Sequence, residues 1–210
     1  MFPNLKPPKL RANQPTWEIA ALYPTQGNWS EAEYLRLEGN QLIEYDNGFV
    51  EFLEMPSPMH QLLLAFLYRL LFQWTTERQA GELFFAPLPL QVEPRRYREP
   101  DLMFVAAAHA NWIEAQRLVG ADLVVEVVSG DRERDFVDKR ADYARLGVAE
   151  YWIVDPRDEQ VHVLTLAGDA YAVHGVFGRG QAATSVLLPG FTADVDAIFD
   201  AGQLPEAPAA

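Results

Sequence analysis

The sequence predicts an α/β fold, a mixed central β-sheet flanked by helices, and three observations predict it. The stretch "ADLVVEVVS" (121–129) is an apolar run broken only by Glu126, the pattern of a central strand covered on both faces. The stretch "HQLLLAFLYRLLFQWTTERQ", His60 to Gln79, is apolar on nearly every side, which marks a helix packed deep against a sheet. A helical pattern from Arg132 to Leu146, stopped by Gly147, leads into the apolar strand "EYWIVDP", so strand, helix and strand follow one another. With 210 residues and 49% hydrophobic content the chain can bury one substantial core and is short for two, so one domain is expected over 28–200.

Along the chain, residues 1–27 open with four prolines in the first sixteen positions and little periodicity, and read as an extended arm. "WSEAEYLRLEG" predicts a short helix with Ser30 as cap, Glu33 in the capping-box position and Gly39 as the stop. "QLIEYDNGFVEFLEM" places two β-rich runs around Asn47-Gly48, a tight-hairpin signal. After the long helix, ended at Gly81, "ELFFAPLPLQVE" reads as a strand region and "EPDLMFVA" as a shorter strand with Pro100 at its start, where a missing N–H is tolerable. "QVHVLTLAGDAYAVHG" predicts a hairpin, "ATSVLLPGF" a last strand, "DVDAIF" a closing helix, and 201–210 a disordered tail. The C-terminal strands either extend the sheet or form a dimer contact, and the surplus of apolar strand surface predicts a homodimer.

Composition narrows the function. Seventeen Lys+Arg against thirty Asp+Glu give a formal net charge of −13, and an acidic surface repels nucleic acid at long range. Phosphate binding would need a local basic patch or a bound cation; the ordinary role of such acidity is solubility. Zero cysteines exclude disulfides and thiolate metal sites and fit a reducing cytoplasm. No apolar run approaches about eighteen residues and the first fifteen lack a signal-peptide core, so a cytoplasmic protein without a membrane span is expected.

A carboxylate on a central strand is expensive to bury unless it is paired or binds a cation. Asp101 follows Pro100 on the preceding strand, so Asp101 and Glu126, if level, can share Mg²⁺ or Mn²⁺ with waters and substrate phosphate oxygens. Lys139 lies in the next helix at i+4 from Asp135 and can reach back over the strand end. The plainer readings are a turn residue for Asp101, a buried ion pair for Glu126, and for Lys139 a helical pair worth about 0.2–0.5 kcal/mol. "RRYRE" (95–99), with Arg95, Arg96 and Arg98, is the best local basic patch for phosphate contacts, against the plainer reading of a solvated loop. Trp17, Trp29, Trp74, Trp112 and Trp152 read as core or interface groups, and His109, His162 and His174 carry no assignment.

The segments "EYDNGFVEFLEMPSPMHQ", "YREPDLMFV", "DLVVEVVSGDRERDFVDKRADYARLGVAEYWIVDP" and "SVLLPGF" together resemble the Uma2 family, also called DUF820, of the restriction-endonuclease-like PD-(D/E)xK superfamily. The order of several separate motifs carries this resemblance, which spans about 28–200. It implies a metal-dependent endonuclease acting on nucleic acid, DNA foremost, with Pro100-Asp101 as "PD", Glu126 as "(D/E)", and both residues holding the metal. The strict pattern places lysine two residues after Glu126, where this chain has Val128; the resemblance implies that Lys139 supplies it from the next helix and that His60 lies near the site. A histidine opening a helix also serves plainly as a cap or packing group. The alternative function is a catalytically silent module on the same fold, acting through protein contacts or weak nucleic-acid binding.

Overall fold

The computed structural model describes residues 23–37 and 42–204; most of the expected arm, Trp17, the helix stop expected at Gly39 and the tail from 205 lie outside the described residues. Residues 23–27, expected to belong to the arm, are fastened to the body. The Gly27 N–H donates to Gly48 O at 2.8 Å, and the Gln26 amide exchanges hydrogen bonds with the Val50 backbone.

Helix α1 (Glu31–Tyr34) carries the expected capping box, Ser30 and Glu33 each bonding the other's backbone. Strands β1 (Ile43–Asp46) and β2 (Phe49–Phe52) form the expected hairpin, with both Asn47 and Gly48 at positive φ (47° and 97°). They join β5 (Arg96–Arg98) and β4 (Leu90–Glu93) in a four-stranded sheet of order β2-β1-β5-β4. Its core is aromatic: Trp29, Tyr34, Tyr45 and Tyr97 are buried together.

Helix α2 (Pro58–Arg78) starts with Ser57 as cap and Pro58 in its first turn. It buries one stripe, Leu63, Leu64, Leu67 and Leu71, while Phe72 stays half exposed, so its apolar surface is not wholly covered. Gln79 in the left-handed conformation ends it, not Gly81. Gly81 instead opens β3 (Gly81–Phe85), where a Cβ would stand 2.1 Å from Val105 O; only glycine lets this strand approach β6 (Leu102–Ala106).

The larger sheet adds β7 (Leu123–Val127), β8 (Glu150–Asp155), β9 (Gln160–Ala167) and β10 (Ala170–Phe177) in the order β10-β9-β8-β7-β6-β3. Only β7 and β8 are parallel, as their strand–helix–strand connection requires. Every residue of both is buried. Leu123, Val125 and Val127 face α2, while Val124 packs with Tyr143 and Tyr151 on the other face. The β9–β10 hairpin extends this sheet.

Two strand expectations need correction. "ELFFAPLPLQVE" divides into β3 and β4, which belong to different sheets, with a cis Ala86–Pro87 bond between them. In "ATSVLLPGF" only the start is strand: β11 (Ala182–Thr184) pairs with β12 (Thr192–Asp194) ahead of α4 (Val195–Ala201). The segment between turns inward because the fully buried Glu150 carboxylate accepts the Ser185 hydroxyl and the N–H groups of Val186 and Leu187, leaving those groups unavailable to a neighbouring strand.

Candidate functional site

Strands β6 and β7 run antiparallel with Leu102 opposite Val125, so one step further along sets Asp101 beside Glu126. A backbone bond fixes the junction: the Val127 N–H donates to Asp101 Oδ2 at 2.7 Å. The same oxygen lies 3.0 Å from His60 Nε2, at the start of α2. Burial alone would depress the His60 ring, but the hydrogen bond and charge of Asp101 outweigh it and raise its pKa. Asp101 Oδ1 receives no side-chain or backbone hydrogen bond among the described residues.

Lys139 comes from the helix after β7. Arg134–Lys139 is wound as a π-helix, continued by α3 (Arg140–Leu146), instead of the uniform helix expected. The Asp135 carbonyl in this wide stretch accepts the Tyr151 hydroxyl at 3.0 Å, which gives the displaced backbone a partner. Lys139 Nζ lies 2.9 Å from Glu126 Oε2 and 3.1 Å from Asp135 Oδ1. Tyr143, one turn on, donates to Glu126 Oε1 at 2.5 Å. Both plain readings of these residues therefore hold geometrically, since Glu126 is in a buried ion pair and Lys139 pairs with Asp135. The helix is not solvated there, however, because Asp135 and Lys139 are both buried.

These groups meet in one cleft of about 280 Å³, lined by His60, Asp101, Glu126, Asp135 and Lys139 with Ser129, Arg134 and residues 51–54 at its walls. Burial pushes the Glu126 carboxyl up to about 8 against the pull of Lys139, and Asp101 and Asp135 add to the rise by repulsion. Burial also raises Asp135. Burial disfavours the Lys139 ammonium, yet Glu126 and Asp135 overcome it, so its pKa rises and it keeps its proton. No three His, Asp or Glu among the described residues stand close enough to hold an ion as they are. The donor set nonetheless suits a hard cation in chemistry: Asp101 has an oxygen free of protein bonds, and it faces a carboxylate whose charge is opposed by its acidic neighbours.

Two of the three arginines of "RRYRE", Arg96 and Arg98, are taken up by internal carboxylates. Arg98 pairs with Glu44 and Asp142, each at 2.6 Å, and Arg96 with Asp46, Glu93 and Asp142 at 2.9, 3.2 and 3.3 Å. Glu44 also holds Arg134 at 2.5 Å, so the small sheet is tied through buried charges to the helix that carries Lys139. Arg95, in a left-handed turn, gives its N–H to Glu31 and has no ion pair among the described residues. Sequence reasoning missed Glu44, Asp142 and Tyr143 as parts of this arrangement. Tyr143 had a signal, since it falls at i+4 from Lys139; Glu44 had none, because in "LIEYD" it alternates like an outward strand residue. Trp29 and Trp152 are core groups, and Trp112 stacks on His109.

A mixed sheet that sets a Pro-Asp and a buried glutamate side by side, with a lysine brought in by the next helix, defines a restriction-endonuclease-like fold. The chain matches the model of the Uma2 family, described as "Putative restriction endonuclease", over residues 31–196, and it belongs to that family. A crystal structure of "a putative nuclease belonging to DUF820" from Anabaena variabilis ATCC 29413 superposes with a TM-score of 0.68 at 16% identity, covering 82% of this chain and 98% of that one. At that identity the likeness speaks for the fold. No curated protein matches the chain. No helix among the described residues is long and apolar enough to cross a membrane.

Proposed function

We propose that this protein hydrolyses phosphodiester bonds of nucleic acid, DNA foremost, as a metal-dependent endonuclease. The observation that carries the reading is the delivery of the Lys139 ammonium to Glu126, 2.9 Å away, in the cleft that Asp101 lines. Asp101 and Glu126 are the residues that would hold Mg²⁺ or Mn²⁺. Bound there, the ion would supply Lewis-acid charge and an acidified water. The chain's own groups do the rest. Lys139 keeps a positive charge where a phosphate oxygen or attacking water would stand, and Tyr143 and Asp135 hold Glu126 and Lys139 in place. His60 orients Asp101 through Nε2. The acidic walls leave the cation to attract substrate phosphate, in place of Arg96 and Arg98, which internal carboxylates neutralise. Action in the cytoplasm as a homodimer completes the proposal.

One observation favours a silent module on this fold: both Glu126 oxygens already carry a partner, Lys139 and Tyr143. Incubation of plasmid and single-stranded substrates with Mg²⁺ or Mn²⁺ separates the readings. Cleavage lost in Asp101→Ala and Glu126→Gln supports the enzyme, and intact substrate at all conditions supports the silent module.

A further inference from the structure

Glu126 is the last residue but one of β7 and Lys139 the last of the π-helical stretch, and the connection between these elements, residues 128–133, supplies one wall of the cleft through Ser129 and Asp131. This loop has few bonds of its own. The Val128 N–H donates to Val154 O at 2.9 Å, and Asp131 Oδ1 accepts the N–H groups of Glu133 and Arg134. Its carbonyls are held from outside. Parallel β8 ends level with β7, Val154 opposite Val127, so the turn after β8 emerges beside the loop. From that turn Arg157 Nη2 donates to both Ser129 O (3.0 Å) and Gly130 O (2.7 Å). The Arg157 N–H is itself fixed on Asp155 Oδ1 at 3.0 Å. Asp155, fully buried, also pairs with Arg132 at 2.6 Å, and Arg132 reaches Asp158 at 2.9 Å and lies over the Phe136 ring.

We infer that Arg157 is a positioning residue for the site: it clamps the loop so that the helix start, and with it Lys139, is held against Glu126. The rest of the fold does not depend on it. Arg157 is exposed, the β7–β8 ladder is complete without it, and α3 keeps its own packing through Tyr143. Losing the clamp therefore frees the Ser129–Gly130 part of the connection, while Val128 and Arg132 keep their own ties to β8 and its turn, and leaves the domain standing. The catalytic consequence rests on the nuclease reading, but the placement of Lys139 does not.

That difference makes a direct test available. The sequence has lysine only at positions 6, 9 and 139, so amine acetylation followed by mass spectrometry reads Lys139 with Lys6 and Lys9 as internal references. In the full chain, Arg157→Ala is expected to raise the Lys139 labelling rate about tenfold or more with little change in Tm. Arg157→Lys, which still offers an ammonium to two carbonyls, should restore most of the protection. Arg179→Ala, which breaks a surface cluster with Glu159, Asp196 and Asp200, should leave Lys139 as protected as in the wild type. If wild type cleaves substrate, Arg157→Ala should lower kcat more than it changes KM. Unchanged Lys139 labelling in Arg157→Ala overturns the inference, as does a gain in labelling that tracks a matching fall in Tm and is not rescued by Arg157→Lys. Protection lost in Arg157→Ala and regained in Arg157→Lys supports it even if no variant cuts, in which case only the nuclease reading fails.

Discussion

The ammonium of Lys139 lies 2.9 Å from Oε2 of Glu126, and both side chains are buried where they line the cleft. An exposed helical pair would make Lys139→Ala cost a few tenths of a kcal/mol. Here, above about pH 8 where Glu126 is ionised, the change strands Glu126 and Asp135 without their shared cation, so a loss of about 3–5 kcal/mol is expected by urea unfolding of metal-free protein. A loss under about 1 kcal/mol would show that the pair is solvated.

The proposed metal site carries a pH dependence of its own, set by the proton balance of Glu126. Its carboxyl, pushed up to about 8 by burial and by repulsion from Asp101 and Asp135, becomes a carboxylate only as pH rises through that value. Metal must displace the proton, so Mn²⁺ affinity by calorimetry should climb by up to about tenfold per pH unit from pH 6 to 8 and level off above. Asp101→Ala and Glu126→Gln should abolish the dependence together with the binding. A pH-independent isotherm equal in all three proteins would assign the metal to other carboxylates.

Glu99 gives a pH signature in stability. Burial, reinforced by the charge of Glu44, raises it from 4.5 to about 7, although the Ile43 N–H pulls the other way. A carboxyl raised in the folded state contributes stability below its unfolded pKa and loses it as pH rises from 4.5 to about 7. Glu99→Gln, which can still accept the Ile43 N–H, should match wild type near pH 4.5 and exceed it by about 1–3 kcal/mol at pH 8. Equal stability at both pH values would place Glu99 in water.

Assembly is tested by light scattering. The edge strands β3 and β10 of the large sheet leave Phe85, Val173 and Val176 exposed, and edges of this kind are usually covered. The expected mass is twice 23.7 kDa at micromolar concentration; a mass of 23.7 kDa contradicts the dimer.

What could be read from the sequence follows the range of the forces involved. The central strand around Glu126, the Asn47-Gly48 hairpin and the α1 capping box of Ser30 and Glu33 are local patterns of apolar period, turn chemistry and capping, and they stand where the residues put them. Asp101, Glu126 and Lys139 were legible through their order in separate motifs. The Glu44–Arg98–Asp142 network was not, because it joins residues 44, 98 and 142 through burial that no local pattern encodes. For the same reason "RRYRE" read as a free basic patch. The inward course of Ser185–Leu187 depends on Glu150, thirty-five residues upstream of Ser185, and so "ATSVLLPGF" read as a strand.

The central claim is that Lys139 supplies the positive charge that the strict motif would place at Val128. Its most direct test is the rate of plasmid and single-strand cleavage in Mg²⁺ and Mn²⁺ by wild type, Lys139→Ala and Lys139→Arg, at a temperature where circular dichroism shows all three folded. Wild type should cut, Lys139→Ala should be slower by about a hundredfold or more, and Lys139→Arg should recover little, because a planar guanidinium does not fit between Glu126 and Asp135 as a compact ammonium does. A folded Lys139→Ala that cuts as fast as wild type would contradict the account.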